Sequence, residues 1–292
     1  MSVPVPTPLF RDVKRGFDRV AQDFDGADFV HRATFDGLLE RLAPLLIEPS
    51  RILDLGCATG LGSLKLARHY RKSTVVGLDA SRGMLRQATA RRSFTFKPAL
   101  LEADARNIPL ADHSIDLVFA NLLLPWIDDL ASCLAEVARV LRKGGVFAFA
   151  SFGPDSLAEL RDAWQSVDDE AHVAEFADMH DIGDAIVRAG LRDPVLDVDY
   201  LNVTYKEPAA LYRDLTACGA RNRLRERRRS LTGKDRFSAM EKQLAKRMTD
   251  NVLSLKLELV FGHAWGGGDG SGQRAGEVRI DPRSITKRRI ER

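Results

Sequence analysis

Asp54, Asp79 and Asp104 each lie at the end of a short apolar run: Arg51 to Leu55, Ser73 to Leu78, and Phe96 to Leu101. Runs of that length read as buried strands, so the three acids are expected along one edge of a sheet. After the first run come Gly56, Cys57, Ala58, Thr59 and Gly60. Glycine lets the backbone turn tightly and lets a ligand lie against bare main chain. Leu61, Leu64, Leu66 and Ala67 then recur at helical spacing, so the loop opens a helix whose first amides face the same ligand. Asp54 suits a ligand that carries an ammonium and hydroxyls and would repel a pyrophosphate. Asp79, about 20 residues past the loop, can accept hydrogen bonds from two ribose hydroxyls. Asp104 can accept an adenine amino group while the Ala105 amide faces a ring nitrogen.

Two phosphate-binding motifs are excluded. A dinucleotide fingerprint requires G-x-G-x-x-G, and here Gly60-Leu61-Gly62 is followed three residues on by Lys65. The Gly-Lys-Ser/Thr of a phosphate-cradling loop is absent. Asp54-Leu55-Gly56-Cys57-Ala58-Thr59-Gly60 resembles the first motif of the class I S-adenosylmethionine-dependent methyltransferases. The resemblance implies that Asp54, Gly56, Cys57, Gly60, Asp79, Ala80, Met84, Asp104, Ala105 and Asn121 hold the cofactor. Met84 would then pack on adenine and Asn121 would open the loop over the ligand. Asp79 has an alternative as a helix cap, although Ser81 is better placed for that task. Met84 has an alternative as plain core.

Elements must position these residues. Ser114 to Asn121 reads as a fourth strand, and Lys143-Gly144-Gly145 turns the chain into a fifth, Val146 to Ser151. Repeated strand-loop-helix units with polar carboxyl ends give an α/β, Rossmann-like fold. The resemblance extends it to a mixed seven-stranded sheet with helices on both faces. Residues 1–47 are expected to form a helical lid, or a helix packed on the sheet flank, and 48–152 the cofactor-binding core. Residues 153–265 complete the sheet around a helical insertion at about 207–250, and 266–292 form a glycine-rich tail. Ser156 to Glu159 fits a capping box, Gly190 a helix C-cap, and Val195 to Tyr205 and Asn251 to Trp265 two further strands.

The chain has 292 residues, 45% hydrophobic and 29% charged, ordinary for a globular protein. Three cysteines, Cys57, Cys133 and Cys218, without metal-ligand spacing fit a reduced cytoplasm, and six unclustered histidines predict no metal. The proline-rich start does not resemble a secretory segment, and no run is long enough to span a bilayer. Charge is uneven: Arg221 to Arg247 holds eleven Lys/Arg against three Asp/Glu, a local +8 in a chain of net +3. Such a run is a solvated helix face or a docking surface for an acidic protein. Phe237 is its one aromatic, too few for stacking bases of a nucleic acid.

Four blocks narrow the resemblance: Phe152-Gly153-Pro154-Asp155-Ser156-Leu157-Ala158-Glu159-Leu160-Arg161, Asp178-Met179-His180-Asp181-Ile182-Gly183-Asp184, Gly219-Ala220-Arg221-Asn222 and Gly262-His263-Ala264-Trp265. They are similar to the malonyl-acyl-carrier-protein O-methyltransferase family of bacterial biotin synthesis. That implies methylation of the free carboxylate of a malonyl thioester, with an acidic acyl carrier protein bearing malonyl-phosphopantetheine as partner. A carboxylate is ionised at neutral pH, so no general base is expected. A cation that holds it is, and Arg161, His180 and Arg221 are the candidates. Three alternatives stand beside this reading. One is a protein-arginine hydroxylase of the complex I assembly type, which carries an FGGD-type block where this chain has Phe152-Gly153-Pro154-Asp155. Another is a small-molecule methyltransferase of quinone or secondary metabolism, and the third a non-catalytic adaptor.

Overall fold

The computed structural model describes residues 7–91, 97–228, 230 and 232–267. Its centre is a seven-stranded sheet in the order β3-β2-β1-β4-β5-β7-β6. The strands are β1 (Arg51–Leu55), β2 (Thr74–Asp79), β3 (Ala99–Glu102), β4 (Ile115–Asn121), β5 (Leu141–Phe152), β6 (Arg192–Tyr205) and β7 (Leu253–Trp265). The first five pair in parallel, and β7 runs antiparallel to both β5 and β6. The fold is therefore the mixed α/β sheet expected. Strand order reverses between β1 and β4, which opens a crevice at their carboxyl ends.

Helices cover both faces. They are α1 (Phe10–Val20), α2 (Phe29–Leu42), α3 (Leu61–His69), α4 (Arg82–Ala90), α5 (Leu130–Val140), α6 (Ala158–Gln165), α7 (Met179–Arg188), α8 (Pro208–Ala217) and α9 (Lys234–Ala245). On one side Phe35, Leu38 and Leu42 of α2 and Leu66 of α3 pack with Ile52, Leu117 and Phe119 of the sheet. On the other, Leu134 and Val137 of α5 and Ile182 and Ile186 of α7 pack with Leu53, Val118 and Phe147. Cover on both faces explains why β4 is buried from Ile115 to Ala120 and apolar there except for Asp116, which accepts from the Ser50 and Arg51 amides. A separate core joins Leu160 and Trp164 of α6, Leu211 of α8, Met240 and Leu244 of α9, and Leu253 and Leu255 of β7.

Several local expectations change. β5 starts at Leu141 rather than Val146: Leu141 pairs with Ile115 and Val146 with Leu117, so the Gly144 turn is a bulge within the strand. Phe96 lies outside the described residues, and the third strand begins at Ala99. Ser156 does not cap α6. It is buried, donates to the Glu258 carbonyl at 3.0 Å and accepts from the Glu258 amide at 3.0 Å. A Cβ on Gly153 would come within 2.4 Å of the Glu258 side chain, so this glycine and serine exist to seat the loop on β7. The end of α7 is as expected: Gly190 has φ +90°, and Leu191 and Gly190 donate back to Ile186 and Val187, a Schellman motif. The insertion holds two helices, and Arg221 to Arg228 lie in the loop between them rather than on a helix face. The tail from residue 268 onward is outside the described residues.

Candidate active site

The crevice holds two adjoining cavities, a larger and a smaller, that share Phe24, His31, Gly56, Ala58 and Asn121 in their walls. The glycine loop forms the floor. Gly56 and Gly60 have φ of +79° and +77°, which glycine adopts without penalty. At Gly60 a Cβ would also lie 2.8 Å from that of Ala88, so glycine lets α4 pack close. Cys57 of the loop is buried and lines the smaller cavity, and burial raises its thiol well above the ordinary cysteine range.

Asp79 accepts hydrogen bonds from the Ala58 amide at 2.9 Å and the Ser81 amide at 2.7 Å, while lining the larger cavity with Ala80 and Met84. Ser81 is the cap of α4, accepting from the Met84 amide at 3.2 Å. Asp54 lines the smaller cavity and accepts from the Ser63 hydroxyl at 2.6 Å. Burial pushes Asp54 up to about 7 and Asp79 up to about 6, partly opposed by those donors. A buried acid, Asp54, and a half-buried one, Asp79, both reluctant to ionise, are ready for a ligand bearing positive charge and hydroxyls. Ala105 lines the larger cavity, and Asn121 lines both. Asn121 donates to the His31 carbonyl at 2.8 Å, leaving its buried Oδ1 with no partner among the described residues.

Two of the expected cofactor residues, Gly60 and Asp104, do not line either cavity, although Ala103 and Ala105 do. Arg106 grips the Asp104 carboxylate at 2.6–3.1 Å and holds it below the usual carboxylate range despite burial. The Arg106 guanidinium lies 4.6 Å from the ring centre of Phe10, so the pair braces α1 instead.

The first two helices roof the cavities. Phe10, Val13, Lys14 and Phe17 of α1, then Phe24 and His31, line the larger one opposite Leu123, Trp126 and Ile127. Asp18 ties α1 to α4 by accepting from the Ser81 hydroxyl and the Gly83 amide, each at 2.8 Å. Asp25 accepts from the Thr59 hydroxyl at 2.6 Å, which fastens the roof to the glycine loop. α2 instead packs on the sheet, so the N-terminal segment both roofs the crevice and covers a flank.

The structure brings none of the expected carboxylate-holding groups to the cavities. Arg161 donates to the carbonyls of Pro154, Ser156 and Ala174 and so braces a loop. The His180 side chain is 81% exposed on α7, 3.8 Å from Asp178. Arg221 is exposed in the loop after α8. That loop lies on α1: Leu9 donates to the Arg223 carbonyl, Arg225 to that of Thr7, and Arg227 pairs with Asp12 at 2.6 Å. Burial, with Arg221, Arg227 and Arg19 close by, lowers the Arg223 pKa. His31 is the cavity residue that sequence reasoning missed. Its signal was present: His31, Phe35, Leu38 and Leu42 share one helical face, and a histidine on a buried stripe is out of place.

Among the described residues no group of three or more His, Cys, Asp or Glu is arranged to hold a metal ion, and no helix is long and apolar enough to cross a membrane.

Residues 53–149 match the family model described as a methyltransferase domain. The chain is 43% identical over 284 residues to the malonyl-[acyl-carrier protein] O-methyltransferase of Halorhodospira halophila, covering 96% of each chain. Its fold is similar to the YcgJ protein of Bacillus subtilis (TM-score 0.58, 15% identity, covering 82% of this chain and 100% of that one). It is also similar to a Haemonchus contortus phosphoethanolamine N-methyltransferase in complex with S-adenosyl-L-methionine (TM-score 0.54, 17% identity, covering 85% of this chain and 57% of that one). An S-adenosylmethionine-type crevice under a chain of this identity and coverage has one assignment: the protein belongs to the malonyl-[acyl-carrier protein] O-methyltransferase family of S-adenosylmethionine-dependent methyltransferases.

Proposed function

We propose that this enzyme methylates the free carboxylate of a malonyl group carried on an acyl carrier protein, a step of biotin synthesis in a reduced cytoplasm. The observation that carries the reading is the two-part crevice, acidic at Asp54 and at Asp79 and roofed by apolar side chains. The residues fit S-adenosylmethionine. Asp79 would take the ribose hydroxyls, Met84 and Ala105 the adenine side, and Asp54 with the unpartnered Asn121 Oδ1 the methionine ammonium. When bound, that group would supply a methyl carried on a positively charged sulfur, for transfer to the acceptor oxygen with the neutral thioether leaving. Carboxylate and sulfonium charges cancel and no proton moves, so the chain needs no base or metal for the transfer. Its residues align the acceptor and exclude water. Phe10, Phe17, Phe24 and Trp126 serve the second task, and the N-terminal helical segment acts as the lid.

The carrier protein docks on the basic loop between α8 and α9. Arg221, Arg225 and Arg228 are exposed there, next to the lid that the pantetheine arm must pass. Burial first, and then Arg221, Arg227 and Arg19 nearby, depress Arg223, and cations gathered this closely favour an anionic partner. The test is to incubate the purified protein with S-adenosylmethionine and malonyl-carrier protein and weigh the product. A gain of one methyl, insensitive to chelator, is expected. No mass change on the carrier, or a hydroxylated arginine on a co-purifying protein, overturns the reading.

A further inference from the structure

We propose that His31 holds the methyl acceptor, its Nδ1–H donating a hydrogen bond to the malonyl carboxylate oxygen that does not attack. The inference rests on the carboxyl-methylation reading above and names the residue that reading lacked.

Position is the first ground. Five residues line both cavities, Phe24, His31, Gly56, Ala58 and Asn121, and among them only His31 and Asn121 have polar side chains. The seam between the cavities separates the Asp54 end, suited to the ammonium, from the Asp79 end, suited to the ribose. The sulfur and its methyl lie between those two groups of the ligand, so the acceptor oxygen must arrive at the seam. The second ground is an unmet hydrogen bond. His31 Nδ1 is buried without a partner among the described residues, and a buried polar atom left unpaired is costly unless a ligand completes it.

The ring is also held. The His31 carbonyl accepts from Asn121 at 2.8 Å and from the Thr34 hydroxyl at 3.2 Å, and the imidazole meets Phe24 edge-on at 5.0 Å between ring centres. Burial pushes its pKa down to about 4, although Asp28 pulls the other way, so the imidazole is neutral in the working pH range. Neutrality suits the chemistry. A cation at the seam would repel the sulfonium and drain charge from the attacking oxygen. A neutral donor orients the carboxylate and leaves its nucleophilicity, while attraction to the sulfonium supplies the binding energy that an arginine would otherwise give. The cationic groups of the smaller cavity are occupied elsewhere: Arg32 pairs with Asp28, and Lys65 with Asp36 at 2.6 Å.

The experiment compares His31→Phe, which keeps the ring and loses the donor, with His31→Asn, whose amide nitrogen matches Nδ1. Wild-type turnover of malonyl-carrier protein is measured first; its absence refutes the carboxyl-methylation reading whatever His31 does. Given that turnover, His31→Phe should lower kcat about 10- to 100-fold, the loss of one hydrogen bond to a charged group. Calorimetric affinity for S-adenosylhomocysteine should stay within about threefold, and His31→Asn should restore most of kcat. Unchanged kcat in His31→Phe overturns the proposal. So does a tenfold or greater loss of S-adenosylhomocysteine affinity, which would make His31 a cofactor contact, or a His31→Asn as impaired as His31→Phe. Should His31→Phe fail to fold, His31→Ala takes its place in the same comparison.

Discussion

Asp18 of α1 accepts a hydrogen bond from the Gly83 amide at 2.8 Å, joining the roof of the crevice to the N-terminus of α4. A Cβ on Gly83 would lie 2.8 Å from the Asp18 carbonyl, so the two helices touch through bare backbone. Burial works to raise the Asp18 pKa, but the Gly83 amide, the Ser81 hydroxyl and Lys14 outweigh it and leave it lowered. A lowered folded-state pKa means that this stabilisation is present above the unfolded value and lost as pH falls through the folded one. Asp18→Ala, which removes the acceptor of both hydrogen bonds, should destabilise the roof by about 1 kcal/mol, as for a lost helix cap. Faster S-adenosylhomocysteine release by stopped flow would be the signature; an unchanged off-rate would mean that the roof does not open at this contact.

Asp79→Ala should lower cofactor affinity by about 1.5–3 kcal/mol, one to two decades, through lost charge-assisted hydrogen bonds. Ser81 remains to cap α4, so the fold should survive. Calorimetry on the folded variant decides the matter, and wild-type affinity would reduce Asp79 to a loop fastener.

Cofactor binding should release protons. Folded pKa values raised to about 7 for Asp54 and about 6 for Asp79 favour the protonated acids in the free protein. That stabilises the free fold at low pH and fades as pH rises through those values. An ammonium bound at Asp54 requires the anion, so affinity should rise between about pH 5.5 and 7.5, by up to roughly tenfold per pH unit for each proton released. Titrations in buffers of different ionisation enthalpy measure the release directly. With cofactor and acceptor bound, kcat should stay nearly flat from about pH 6 to 8 because no base takes part. His180→Gln, on an exposed helix face, should leave that profile unchanged; a shifted profile would return His180 to the site.

Reversing Arg221, Arg225 and Arg228 to Glu should raise KM for the carrier-bound substrate several-fold and spare turnover of a small malonyl thioester, since rim charges govern encounter. Arg227 is kept in this variant because it is paired with Asp12 of α1. Salt should mimic the variant, exposed charges being screened over about 8 Å at 0.15 M. Equal losses on both substrates would point to damage of α1 instead.

Asp79 and Asn121 close strands, and Gly56 and Gly60 follow one, whose apolar runs are legible one by one, and strand order then places those ends together. The partner of Asp104 was not legible: Arg106, two residues on, closes over the carboxylate through a turn that composition does not reveal. The acceptor side was not legible. Arg161, His180 and Arg221 stand in distinctive blocks, yet those blocks shape a loop, an exposed helix and a basic surface. His31 reaches the crevice only because α2 lies on β4 and Asn121 donates to its carbonyl across 90 residues of chain. Sequence determines what each segment forms, because hydrophobic period and glycine geometry act over a few residues. Which side chains meet in the crevice is decided by packing between segments far apart in the chain, and that contact exists only in the folded protein.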